Sequence, residues 1–196
     1  MPEEQSRAVC PFYQETAVIE SDLHRATWQG NVTDVEQLLA AGVDLHARAG
    51  ASRTTPLHAA AGRSNTSQVL MAAGADVNAQ DADGNTPLIR AARLVGFMAG
   101  NMEQLLKAGA QPDIQNNRGR TAMHEAVRYF GSYGDEWRLR VLLKYGAALD
   151  VRDHDGFTPI DLAEADGDTA LVSFLCTAER ERVSLAREQS RRRARA

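Results

Sequence analysis

Thr55-Pro56-Leu57-His58-Ala59-Ala60 is written once in full in this chain and four more times in weaker form. Ser21-Asp22-Leu23-His24 precedes it, and Thr86-Pro87-Leu88-Ile89, Thr121-Ala122-Met123-His124 and Thr158-Pro159-Ile160-Asp161 follow, at intervals of 34, 31, 35 and 37 residues. A second mark keeps the same beat: Leu-Leu or Leu-Met, two residues, then glycine, ending at Gly42, Gly74, Gly109 and Gly146. Self-similarity at roughly 33 residues is the signature of a stacked array, in which each unit buries its apolar face against the next.

The residue types explain the recurrence. Thr is a good N-cap, because its hydroxyl can accept from orphan N–H groups, and Pro at the next position costs nothing and presets the helical φ. Leu57, Leu88, Met123 and Ile160 should point inward, and the small Ala60, Ala61, Ala91 and Ala92 let a neighbouring helix come close. The motif His can bond the backbone of the adjoining turn. Gly42, Gly74, Gly109 and Gly146 follow Leu-rich helices, where a left-handed residue belongs. Each unit therefore reads as helix, loop, helix and extended turn.

The pattern resembles the ankyrin repeat over about residues 21–177. Thr55 to Ala60 fits the family's opening motif throughout, and Gly74-Ala75-Asp76-Val77-Asn78 with Asp83-Gly84-Asn85-Thr86 fits its ending. Departures occur: Ile89 and Asp161 replace the His, Ala122 replaces the Pro, and the first turn, His46 to Thr55, lacks Asp-Gly and runs one residue long. The resemblance implies an all-α ankyrin repeat solenoid of about five helix-loop-helix repeats joined by hairpin-like turns. It also implies a non-catalytic module that recognises another protein through turn tips and the exposed face of the inner helices.

In chain order, residues 1–20 are a lead-in, whose Phe12 and Tyr13 either fold over the first unit or fray. Units follow at about 21–53, 54–84, 85–119, 120–156 and 157–178, the last resembling a cap. From motif Ser or Thr to Gly the interval is 21, 19, 23 and 25 residues in successive units, and the changes fall between the two helices. Thr33 and Glu36 suggest a capping box in the first unit. The lengthened third and fourth units hold Phe97, Met98, Tyr133 and Trp137 among glycines; these insertions either pack on each other or form an exposed recognition ridge. Residues 179–196 carry seven Arg and three Glu, or +4, leaving −8 on residues 1–178 of a chain whose net charge is −4. This extension is either a solvated helix or a basic arm for an acidic partner or membrane surface.

The acidic balance gives no reason to expect nucleic acid. No apolar run approaches membrane-spanning length, and no signal-peptide order opens the chain. Cys10 and Cys176 have no ligand spacing, so both are expected as free thiols in a reduced, cytoplasmic, monomeric protein with no cofactor. Phosphate, zinc and nucleophile-elbow motifs are missing. His24, His58 and His124 sit in the repeat motif, which favours a structural bond over metal. Asp81-Ala82-Asp83-Gly84 and Asp153-His154-Asp155-Gly156 fail as calcium loops, since the first and twelfth places would be Ala79 and Arg90, or Val151 and Leu162.

Superimposing the units places Arg25, Trp28 and Gln29, then Ala59, Gly62 and Arg63, Arg90, Arg93 and Leu94, and Glu125, Arg128 and Tyr129, on the side of the inner helices opposite the apolar positions. Arg, Trp and Tyr dominate interface hot spots, and Arg suits carboxylates. The expectation is a concave face that takes an acidic segment of a partner protein, helped by the turn tips Asp81, Asp83, Asn117, Arg118 and Asp155. A stand-alone array equally fits an inhibitor or an immunity-type protein masking an enzyme or toxin. An enzyme with an unrecognised site is the remote alternative.

Overall fold

The computed structural model describes residues 22–94, 101–130 and 136–193. It contains ten helices in this range: α1 Asp22–Gln29, α2 Val32–Ala40, α3 Pro56–Ala59, α4 Ser64–Ala72, α5 Pro87–Ala92, α6 Met102–Lys107, α7 Ala122–Arg128, α8 Glu136–Lys144, α9 Pro159–Ala165 and α10 Thr169–Arg193. Odd-numbered helices form an inner row, α1 on α3, α3 on α5, α5 on α7 and α7 on α9. Even-numbered helices lie behind them, with α2 against α4 and α6 against α8. Among the described residues the extended pairing is a single bridge, Ala49 with Thr54. The fold is the expected all-α solenoid.

One continuous core threads the units. Leu57, Leu88 and Met123 are buried, as are Ala60, Ala91 and Ala92. Ile160 is only half-buried, because among the described residues no inner helix lies beyond α9. Gly42, Gly74, Gly109 and Gly146 all have φ between 79° and 93°. Behind each, the next N–H reaches the carbonyl five residues back, as in Val43 to Leu38 at 3.1 Å and Ala75 to Leu70 at 3.0 Å. This closes the outer helices as Schellman motifs.

The histidines join units as the spacing suggests. His58 Nε2 lies 2.8 Å from Asn85 O, His24 Nε2 2.7 Å from Thr54 O, and His124 Nε2 3.1 Å from Phe157 O. A carbonyl can only accept, so Nε2 carries the proton, and His58 Nδ1 is left to accept from the Thr55 N–H at 3.2 Å and its hydroxyl at 2.8 Å. Thr55 and Thr121 therefore spend their hydroxyls on His Nδ1, whereas Thr86 and Thr158 cap the N–H of Ile89 and Asp161. Ile89 can make no inter-unit bond. Asp161 accepts from the Thr158 N–H at 2.8 Å, a reciprocal cap that needs no partner in a following turn. The Thr33–Glu36 box does not form: α2 starts earlier, at Val32, and Asn31 caps it by accepting from Asp34 N.

Successive turns are tied by one backbone bond each, from Ala82 N to Ser52 O, Asn117 N to Asp83 O and His154 N to Arg118 O, at 2.8–3.0 Å. The approach is close enough to require glycine. A Cβ on Gly84 would lie 2.8 Å from Asn117 N, and one on Gly119 2.7 Å from His154 N. In the first, longer turn the equivalent left-handed place is taken by Arg53, φ 49°.

Units two to four share a series of inter-unit contacts that sequence reading overlooked. Eight residues before each closing glycine of units two to four stand Thr66, Asn101 and Arg138, all buried. Each donates to the end of the preceding inner helix: Thr66 Oγ1 to Thr27 O at 3.4 Å, Asn101 Nδ2 to Ala60 O at 3.1 Å, and Arg138 Nη1 to Ala92 O at 2.7 Å. The donor lengthens from Thr to Asn to Arg as the interval grows from 19 to 23 to 25 residues. Arg138 also holds Leu94 O and, through Nη2, Tyr129 O, both at 2.9 Å. Carbonyls at helix C-termini lack intrahelical partners and carry the negative end of the dipole, so they suit the two terminal nitrogens of a buried guanidinium.

Candidate functional site

The row formed by the inner helices is less uniform than superposition of the units suggests. Arg90 and Arg93 are built into the scaffold. Asp81, whose carboxylate is fully buried, takes Arg90 Nε at 3.0 Å and also accepts from the N–H groups of Asp83 and Asn85. Asn85 Oδ1 then accepts from Arg93 Nη2 and from Asn116 Nδ2, each at 3.0 Å. Arg93 Nε closes the chain on Glu125 at 3.0 Å. Glu125, expected on the exposed face, is 2% exposed, because it neutralises Arg93 from the next unit. Asp81 is likewise corrected from an exposed tip to a buried residue: its carboxylate organises its own turn.

The remaining row residues lie at the surface. Arg25 is exposed and paired with Asp22 on its own helix. Trp28 and Tyr129 are among the exposed large hydrophobic residues, and Arg128 is exposed. Arg63 is half-buried, its stem crossing Gly30 of the preceding unit; a Cβ there would lie 3.7 Å from Arg63 Cδ. Among the described residues neither Arg63 nor Arg128 has a carboxylate in ion-pair range. Arg128 is the last residue of α7, and Arg63 is the N-cap of α4, a few residues past the end of α3.

At the opposite ends of the inner helices, the tips present exposed Asp83, Asn117, Arg118 and Asp155. Their buried roots repeat one device. Asp153 accepts from the N–H groups of Asp155 and Phe157 at 3.0 Å and from Arg120 Nε at 3.1 Å, while Asn116 serves the N–H groups of Arg118 and Arg120. Burial pushes the Asp153 carboxyl up, but the Phe157 N–H, Arg120 and the Asp155 N–H outweigh it and hold the pKa below the usual value. Burial also lowers His58 to about 4, against the raising effect of its bond to Asn85, and lowers His124 for the same reason. Both are neutral at neutral pH, as their bonding through Nε2–H and Nδ1 requires.

Of the ridge residues, Phe97, Met98 and Tyr133 lie outside the described residues, and Trp137 is 38% exposed on α8. Cys176 is a half-buried free thiol, and Cys10 lies outside the described residues. Among the described residues no three His, Cys, Asp or Glu side chains are grouped to hold a metal ion, and no helix is long and apolar enough to cross a membrane.

Comparison with known proteins agrees with this architecture. The family model for ankyrin repeats, three copies, matches residues 23–99 and 95–185. An ankyrin repeat protein of Rickettsia felis is 33% identical over 51% of this chain and 45% of its own length. The neurogenic locus notch homolog protein 1 of Mus musculus is 41% identical over 44% of this chain and 3% of its length. A Danio rerio protein named as a palmitoyltransferase is 32% identical over 82% of this chain and 24% of its length. The chain thus spans less than half the length of each of these relatives.

Proposed function

The chain belongs to the ankyrin repeat family, whose members are generally protein-interaction modules, and on that premise we propose that it is a non-catalytic binder of a protein partner. The partner lies along the inner-helix row and the turn tips, and offers an acidic segment to it. The observation that carries this is the pair of arginines, Arg63 and Arg128, at the surface of a body whose other row cations are answered internally. Exposed Trp28 and Tyr129 add apolar anchors of the kind that dominate hot spots. Whether the bound partner is masked, as by an inhibitor or immunity-type protein, or merely tethered, depends on which protein it is.

Affinity capture from the native cell tests the reading. Capture by the wild-type chain should be lost on changing Arg63 and Arg128 together to Glu, with little change in melting temperature, and kept on changing Arg140 to Glu on α8. Arg90 is unsuitable for this test because it answers the buried Asp81. If capture survives the double change and is lost on replacing Phe97, Tyr133 and Trp137, the insertions are the site instead.

A further inference from the structure

We infer that the acidic segment binds extended along the row, with two carboxylates six or seven residues apart and no acid midway between them; this deepens the proposed function and rests on it. Three observations lead there. First, the inner helices pack in strict succession, so Arg63 and Arg128 stand two units apart. The Arg63 side chain leans back over Gly30 of the first unit, away from Arg128, which lengthens the separation beyond two units. With helices packed about 10 Å apart this is roughly 20–25 Å, the span of about six or seven residues of extended chain. A helical segment of the same length would cover about 10 Å and could not reach both.

Second, the position between them is neutralised. Arg93 is held by Asn85 and by Glu125, whose carboxylate is buried behind it. A ligand carboxylate there would face Glu125, whereas an uncharged residue can lie against the half-buried Leu94 and the Arg93 stem. Third, the turn tips at the other end of the inner helices carry both signs, in exposed Asp83 and Asp155 beside Arg118. The two carboxylates are therefore favoured beside Arg63 and Arg128 and not at the tips.

Labelled synthetic peptides in a Ser/Pro background, which keeps them extended, test the spacing by fluorescence anisotropy at low ionic strength. One set carries two Glu six or seven residues apart, a second carries the same two Glu adjacent, and a third carries a further Glu midway. The spaced peptides should bind about fivefold more tightly than the adjacent isomers, as expected when a second exposed ion pair forms, and the midway Glu should add nothing or weaken binding. Arg63→Gln and Arg128→Gln should each remove the preference, and Arg140→Gln should leave it intact. Equal binding of spaced and adjacent isomers, or a preference that survives both substitutions, overturns the inference. If the peptides fail while capture of the native partner still depends on Arg63 and Arg128, the spacing is wrong and the proposed function stands. If capture is also independent of both arginines, the surface itself is wrong.

Discussion

His58 shows how one side chain can set the pH range of the whole array. Its folded pKa, about 4, lies below the ordinary 6.5, because the ring is buried, an effect that the bond to Asn85 O only partly offsets and the nearby Arg90 charge reinforces. Protonation in the unfolded chain then precedes protonation in the folded one. The His58 contribution is complete above about pH 6.5 and drains away as pH falls toward 4, by roughly 3 kcal/mol at the acid end. Urea midpoints measured from pH 7 to 4.5 should therefore fall more steeply for the wild-type chain than for His58→Gln, whose amide can still donate to Asn85 O. Parallel curves would show that the ring is protonated in place. Arg138 is the other residue on which much depends. Arg138→Met would leave the Ala92, Leu94 and Tyr129 carbonyls without their donor, and should cost roughly 3–5 kcal/mol in chemical denaturation.

At the scale of an element, the turns separate two demands that glycine meets. Gly84 and Gly119 have positive φ and also abut the next turn's backbone, whereas Gly156 has the φ and nothing within 4 Å of its would-be Cβ. Gly84→Ala and Gly119→Ala should each cost roughly 2–5 kcal/mol, and Gly156→Ala only about 1–2 kcal/mol, as thermal melts of the three variants would show. In the first turn the direction reverses: Arg53→Gly should stabilise by about 0.5–1 kcal/mol, since it relieves a left-handed residue that bears a Cβ. These turns also mark how far sequence reading reaches. Capping Thr and C-terminal Gly act through local backbone rules, and the motif His through its fixed place in the repeat, so their roles were legible from spacing. The burial of Asp81 and Glu125 was not, because it depends on Arg90 and on Arg93 from a neighbouring unit. Arg138 was hidden for a related reason: its partners are carbonyls, which no sequence displays.

For the molecule as a whole, stability is a sum of units and the interfaces between them, so position along the array should matter as much as burial. Leu88 in the third unit and Leu175 in the last are both fully buried. Each change to Ala should cost roughly 2–5 kcal/mol locally. Leu88→Ala should lower amide protection on both sides, whereas Leu175→Ala should lower it in α9 and α10 and leave α1 to α5 nearly unchanged. Native-state hydrogen exchange distinguishes the two patterns, and equal loss everywhere would mean a single cooperative body. Arg138 has a consequence of another kind at this scale. Because one guanidinium grips Leu94 O and Tyr129 O together, the described residues that lead into 95–100 and 131–135 share a base a few ångströms across. Foreign sequence grafted at 95–100 and 131–135 would start from neighbouring points on a fixed base, as paired loops on an antibody do, so the chain is a ready scaffold for two-loop libraries as long as Arg138 is kept.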